Sequence, residues 1–390
     1  MKPEVYMKKI VIIFYSFLLI VFAASCTKNE GNGPEPTEIP QISPTTEPTS
    51  EDNNVDTGNI GNVESNDTGN DSTKVADYLV YSANEGSSSV SVIDTKTMKT
   101  IKDIPVGKGP HNVQATPDGK FVYVVEGKVA SISAINTATN SVVNTINIGE
   151  GPSHIIFSPD SKLAYVSIGG MMEEEEKEED VAETMVDMTE EEAGNVSVVN
   201  LENGEVKEIL VGLMPHGLRM TPDNKYVLVA NTDSDTVSVI DTATNKVTNT
   251  VEVGKKPVQV APTADGKYVF VSLSGDNSVA VIELSSMKVT KTIPVGEAPI
   301  QLYATSDSKF VYVANNKSAN ISVIDTTSMS VVAEIPAGEE AHGVVISKDG
   351  KNVYVTNTGS DSVTIVDVAT NKVIGTVTVG EEPNGITIVE

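Results

Sequence analysis

The 390-residue chain has no tryptophan, only 5% aromatic residues, one cysteine (Cys26) and one arginine (Arg219). A lone cysteine excludes disulfides within the chain and any multi-cysteine metal site. With so few rings, a large core must be built from Val, Ile, Ala and Leu. Such flat, β-branched faces suit sheet stacked on sheet. Basic residues are scarce as well: 27 Lys and Arg stand against 54 Asp and Glu, a formal net charge of −27. No basic patch exists to release phosphate counterions, which excludes nucleic acid as a partner. There is no phosphate loop, no nucleotide fingerprint and no Ser-His-Asp spacing.

The one long uncharged apolar run is Ile10 to Ala24, preceded by Lys8 and Lys9. It is short for a membrane-spanning helix but has the form of a secretory signal. It ends in Phe22-Ala23-Ala24-Ser25-Cys26. This resembles the lipobox of prokaryotic lipoproteins, with Ala23 where Leu is commonest. The resemblance implies cleavage after residue 25, diacylglycerol on the Cys26 thiol, membrane lipid as a partner, and an extracytoplasmic body at the cell surface or in the periplasm. Residues 26–77 are rich in Pro, Thr, Asn and acids, with eleven acids and two Lys from 27 onward. That composition predicts a disordered tether, because it buries too little surface to offset chain entropy.

From residue 78 on, one unit recurs. Frames begin at Leu79, Phe121, Leu163, Tyr226, Tyr268, Phe310 and Asn352, 42 residues apart except for a third of 63. Each holds four short alternating apolar runs, the pattern of a four-stranded antiparallel meander. A glycine recurs at one position in all seven: Gly107, Gly149, Gly212, Gly254, Gly296, Gly338 and Gly380. A glycine at a strand end predicts positive φ. Three residues later stands Pro110, Pro152, Pro215, Pro257, Pro299 and Pro383, with Ala341 the exception. Proline there breaks pairing and lets the chain cross to a new sheet. Asp-x-Lys corners (Asp118 to Lys120 and its copies) and Asp-Thr-x-Thr-Asn corners (Asp241 to Asn245) read as tight turns.

These units, with Tyr312-Val313-Ala314-Asn315 and Tyr354-Val355-Thr356-Asn357 among them, resemble the YVTN family of β-propeller repeats. The resemblance covers 79–390 and implies an all-β fold: a seven-bladed propeller of four-stranded blades around a central channel. Glu126, Ile168 and Leu273 depart from the signature Asn. The last repeat stops where a corner would begin, and the first starts just after one. The C-terminal strand is therefore expected to be innermost in the blade of Leu79 to Val106, closing the ring.

In such a meander the B–C loops and the D–A crossovers share one end of the disc, and the turns share the other. All four histidines fall at the start of an innermost strand. His111, His216 and His342 occupy one repeat position, and His154 comes one residue later, after Ser153. With Asn384, and with Arg219 beside His216 on the same strand, they form a polar arc at the channel mouth; Val258 and Ile300, each followed by a Gln, complete the circle. An insertion at 169–194, with twelve acids and Met171, Met172, Met185 and Met188, follows strand B of the third repeat on the same face. Neutral imidazoles around a channel mouth are ligands for a transition metal such as copper, with Met as a soft auxiliary ligand. A related propeller enzyme, nitrous oxide reductase, holds a copper cluster with hub histidines; its second copper domain has no counterpart here. The plain alternative is a structural histidine bonded to a backbone carbonyl.

Three function classes follow. The first is a lipid-anchored binding or interaction scaffold, with an envelope protein or cell-wall component as partner. The second is a metal-binding or redox-accessory envelope protein using the four histidines. The third is a lactonase-like hydrolase, for which Arg219 is the available cation.

Overall fold

The computed structural model describes residues 78–169 and 193–389. Cys26, the segment 1–77 and the four insertion methionines lie outside the described residues. Among the described residues the chain forms 28 strands, numbered β1 to β28 in chain order, in seven four-stranded antiparallel sheets. Among the described residues no helix is long and apolar enough to cross a membrane. Blade I consists of β1 (Leu79–Asn84), β2 (Ser89–Asp94) and β3 (Lys99–Pro105), with β28 (Pro383–Val389) innermost. Blades II to VII follow in chain order and start at β4 (Pro110–Ala115), β8 (Pro152–Phe157), β12 (Pro215–Met220), β16 (Pro257–Pro262), β20 (Pro299–Ala304) and β24 (Ala341–Ile346). Leu79 pairs with Val389 and Tyr81 with Thr387, so the two ends of the propeller share one sheet. That pairing removes the open edge the ring would otherwise carry.

Burial falls outward across each blade. The second strand is buried on both faces, as in β1, while β3 buries only Ile104. The second strands are consequently near-continuous apolar runs, as sheets covered on both faces require. The core is not central. It is divided into seven slabs, one in each gap between neighbouring blades; Tyr81 and Ala83 of blade I, for instance, pack with Val113, Val124 and Ile135 of blade II. Seven thin gaps lined by Val and Ile explain how a large fold manages without Trp.

Larger side chains reach across the gaps in matched pairs. Tyr81 donates its hydroxyl to Asn140 Oδ1 at 2.6 Å, and Tyr312 donates to Asn371 Oδ1 at 2.9 Å. Phe270 packs in the cluster that holds Met329, and Leu228 in the one that holds Met287. Asn140, Asn371, Met287 and Met329 occupy equivalent left-handed turn positions, φ 49–52°. In these four pairs a hydroxyl faces an amide and an apolar tip shares a cluster with a thioether, while Tyr354, in the cluster of Met98, bonds the Tyr78 hydroxyl at 3.0 Å instead.

The recurring glycine has a different cause from the one its position suggests. Only Gly149 and Gly254 have positive φ, at 101° and 129°. At the other five, a Cβ would strike the signature side chain of the next blade: 2.7 Å from Asn231 Cγ at Gly212, 2.7 Å from Asn315 Cγ at Gly296 and 2.5 Å from Glu126 Cδ at Gly107. At two of these junctions the signature side chain is bonded to the glycine backbone, whereas, among the described residues, Asn231 Oδ1 and Asn315 Oδ1 are buried without a partner. Gly338 donates to Asn357 Oδ1 at 3.0 Å, and Gly107 donates to Glu126 Oε1 at 2.8 Å. Its other end holds the next strand, as in Asn84 Nδ2 to Ser89 and Ser91, or Ser131 Oγ to Glu126 Oε2. Glu126 thus does the work of the missing Asn. Ile168 and Leu273, at the signature position after Gly149 and Gly254, offer no such acceptor, and these two glycines adopt positive φ; a Cβ at Gly254 would also strike Leu273 Cδ1 at 2.7 Å, whereas one at Gly149 meets nothing within 4 Å.

Candidate metal centre

Each innermost strand enters from its proline with a register shift in the first residues, such as that between Pro215 and Leu218 on β12. The irregularity turns the two residues after the proline toward the channel, whereas strict alternation would separate them. This is why His154, one residue out of step, still joins the others. Ring centroids lie 5.3 Å apart for His111 and His216, 5.5 Å for His111 and His154, 4.4 Å for His154 and His216, and 6.3 Å for His111 and His342. Although His154 comes one residue later in its repeat than the other three, its ring is fully buried within the group.

Backbones from neighbouring blades hold the group. Ser167 Oγ donates to His216 O at 2.5 Å and accepts from His154 N at 3.1 Å, clamping two histidine-bearing strands together. Thr356 Oγ1 does the same for Asn384 O at 2.7 Å.

The bonds at the rings assign the tautomers. His216 Nδ1 lies 3.1 Å from Val258 O, which only accepts, so Nδ1 carries the proton and Nε2 is a free lone pair. His154 Nε2 faces the Gln301 amide nitrogen at 3.2 Å, an N–H donor from across the channel; its Nδ1–H then donates to Ser153 Oγ at 3.1 Å. His111 Nδ1 faces Glu85 Oε2 at 3.4 Å, and its Nε2 faces His216 Nε2 at 3.2 Å. Asn384 Nδ2 spans the same pair, 3.0 Å from Glu85 and 3.1 Å from His111 Nδ1. Among the described residues, His342 Nδ1 and Asn384 Oδ1 are buried without a partner.

Burial disfavours the charged form of three of these rings. It holds His154 well below the usual imidazole range, and neighbouring rings push the same way. Burial first, then the His111 charge, lowers His216 to about 3; burial, then His111 and His216, lowers His342 to about 3. Glu85 is lowered to about 2, chiefly by its bond to His111, with Asn384 and Lys128 assisting; Lys128 Nζ is 3.3 Å from Oε1. Glu85 was the residue that the histidine pattern missed. It is the one acid at its repeat position, where the other copies carry Gly127, Gly169, Thr232, Ser274, Asn316 and Thr358.

The residues fit a metal. His111, His154 and His216 each offer a ring nitrogen, and the three lie within 4.8 Å of one another. Two nitrogens on one tetrahedral ion, at about 2.0–2.1 Å each, stand about 3.3 Å apart; the two Nε2 atoms stand at 3.2 Å. Backbone and carboxylate acceptors behind Nδ1 are the second shell that orients imidazole ligands. Arg219 does not join the group. It sits three residues further along β12, about 10 Å at strand rise, and lines the turn-end side of the channel. The four insertion methionines lie outside the described residues, and only the flanks of their segment, Gly169 and Ala193, are placed near this end.

Comparisons with known proteins agree on the architecture. A YNCE-like beta-propeller model matches residues 250–390, a choice-of-anchor I domain model matches 125–307, and a seven-bladed beta-propeller lactonase model matches 71–173. No curated protein sequence matches the chain. Among solved structures, Kuenenia stuttgartiensis hydrazine synthase aligns with TM-score 0.64 and 21% identity, over 79% of this chain and 99% of that one. A functionally unknown protein from Desulfotomaculum acetoxidans aligns with TM-score 0.65 and 16% identity, over 81% and 99%. A dihydro-heme d1 dehydrogenase in complex with DHE aligns with TM-score 0.57 and 15% identity, over 79% and 74%. At these identities the likeness carries fold alone, and it agrees with what the sheets show: the chain is a seven-bladed β-propeller.

Proposed function

We propose that this protein is a lipid-anchored propeller outside the cytoplasmic membrane that binds one transition-metal ion, copper or zinc, at the loop end of its channel. The observation that carries the reading is the cluster of imidazoles: His111, His154 and His216 with their nitrogens within 4.8 Å, two of them at 3.2 Å. His111 and His216 are the ligands in place, His154 is the third, and Glu85 and Val258 O orient the first two. When bound, the ion supplies a Lewis-acidic or, for copper, a one-electron redox centre at a sheltered mouth. Cys26 supports the anchor. The rigid disc around the site supports a binding role toward an envelope protein or cell-wall component.

Calorimetric titration of Cu(II) and Zn(II) into the folded full chain tests this. Wild type is expected to bind one ion tightly at neutral pH, and His111→Ala with His216→Ala to lose at least about 100-fold in affinity. A double variant that binds as tightly as wild type overturns the reading and leaves the acidic insertion as the source of binding.

A hydrolase reading draws on the lactonase model, whose matched segment contains Glu85, His111 and His154. Turnover of a sugar lactone that survives metal removal and is lost in Glu85→Gln would favour it over the metal site.

A further inference from the structure

The far side of the channel carries a second feature, which the metal reading does not use. A cavity of about 770 Å³ opens at the turn end of the disc, and Arg219, Tyr303, Gln114 and Thr387 line it together with apolar residues such as Val345 and Ile346. Arg219, Tyr303, Gln114 and Thr387 all occupy the fourth position after the first residue of an innermost strand, the last channel-facing level before the corner.

Arg219 is the one arginine of the chain and is only partly exposed. Its guanidinium lies 5.6 Å from the centre of the Tyr303 ring, and its hydrogen bond is to the carbonyl of its own neighbour, Leu218, at 3.3 Å. A guanidinium has five N–H donors, so the described residues leave most of this fork unused. No carboxylate among the described residues forms an ion pair with it. Asp118 lines the same cavity but is engaged by Thr116 Oγ1 at 2.7 Å, by the Lys120 amide at 3.1 Å and by Lys120 Nζ at 3.0 Å. Asp118 is thus held at its own corner, and among the described residues no acid stands against the half-buried arginine. Burying an uncompensated cation is costly, and burial indeed pulls Arg219 below the usual guanidinium range.

A ring beneath a cation, an unused planar fork and apolar walls together describe a receptor for a planar anion with an apolar body. We propose that the turn-end cavity binds a small organic carboxylate, its oxygens on the Arg219 fork and its body against the apolar wall, with Tyr303 holding the guanidinium in plane. This site is separate from the histidine mouth and stands or falls without it.

The single arginine makes the test direct, because its side-chain Nε–Hε resonance is unique in an NMR spectrum of the full chain. Benzoate and its neutral isostere benzamide serve as probes. Benzoate is expected to shift that resonance saturably, with an affinity at least about tenfold above that of benzamide. Arg219→Met is expected to abolish the preference for the carboxylate, and Arg219→Lys, which keeps charge but not the fork, to weaken benzoate by about tenfold. No shift with benzoate up to about 20 mM, equal response to benzamide, or an Arg219→Met variant that keeps the preference overturns the proposal. Should Arg219→Met fail to fold, an unchanged benzoate affinity in Arg219→Lys overturns the fork assignment. A larger shift from inorganic phosphate than from benzoate overturns the apolar-body assignment.

Discussion

The two ends of the disc are built by different means. At the turn end each corner is closed mainly by its own residues, with single bonds across a gap added, such as Asp118 N–H to Ser161 Oγ at 3.3 Å and Asp265 N–H to Ser308 Oγ at 2.9 Å. Asp223 accepts from Thr221 Oγ1 at 2.7 Å and from the Lys225 amide at 3.2 Å, and Asp307 repeats this with Thr305 at 2.7 Å and Lys309 at 3.1 Å. At the loop end the important contacts pass between blades: Gly212 against Asn231, Ser167 to His216 O, and His154 to Gln301 across the channel. Local closure lets every copy carry the same corner. Contacts between copies allow copies to differ, because a change in one can be met by its neighbour. The variable end is therefore where a polar cluster could arise without loss of the fold.

The largest expected effect is at the loop end and comes from acid. His216 and His342 are lowered to about 3, well below the unfolded imidazole value near 6.5. Below about pH 6.5 the unfolded chain takes up protons that the folded rings refuse. Stability is therefore complete above that pH and falls by about 1.4 kcal/mol per pH unit for each such ring, down to about pH 3. Glu85 adds to the loss: its carboxylate, lowered to about 2, stabilises the fold above the unfolded value of 4.5, and that contribution disappears on further acidification. Urea midpoints for the metal-free protein between pH 7 and pH 4 check this. The variant His216→Asn, His342→Asn, which copies the Asn384 found at this position in blade I, is expected to flatten the profile. An unchanged slope would show that the mouth opens to water in the folded state.

A smaller effect separates two kinds of blade junction. Gly212→Ala places a methyl 2.7 Å from Asn231 Cγ and Ser234 Oγ, a packing clash expected to cost about 1–3 kcal/mol. Asn231→Gly with Ser234→Ala in the same chain removes the Asn231 Cβ at 2.8 Å and the Ser234 Oγ at 2.7 Å as well as Cγ, so these changes are expected to couple with Gly212→Ala in a mutant cycle. At Gly149 nothing lies within 4 Å of a built Cβ, and the cost of Gly149→Ala is that of φ near 101°. Ile168→Ala should leave that cost unchanged. Equal coupling at both junctions would show that the glycine serves the backbone alone.

Much of this architecture was legible in the chain. The 42-residue period, the alternating runs and the truncated last repeat led to seven blades and to pairing of residues 383–389 with 79–84. The corners were legible because Asp, Thr and Lys act on backbone within five residues. What acts across a gap was harder to read. The glycine was assigned to positive φ, since nothing local showed that Asn231, 19 residues on, fills the space a Cβ would take. His154 seemed out of register because the irregularity at the strand entry carries no residue signature. Arg219 was placed beside His216, although three residues of extended strand put it at the other end of the channel. Glu85 was visible as the one charge at its repeat position, and only the fold brought it to His111.

The smallest effect belongs to the turn end. Asp223→Ala removes two local hydrogen bonds and an exposed ion pair with Lys225 at 3.2 Å. Exposed pairs contribute little, so the loss is expected to be about 0.5–1.5 kcal/mol and to come mainly from the turn. The Asp223 carboxyl is held below its usual range by the Thr221 hydroxyl, so the corner contributes above the unfolded value near 3.8 and loses that contribution in stronger acid. Corner deletions therefore leave the profile between pH 6.5 and 4.5 unchanged. Because the corners of blades IV and VI share no partner, Asp223→Ala and Asp307→Ala are expected to add within about 0.5 kcal/mol. Strong coupling between them would break the comparison, since it would mean that the turn end, too, is held together from blade to blade.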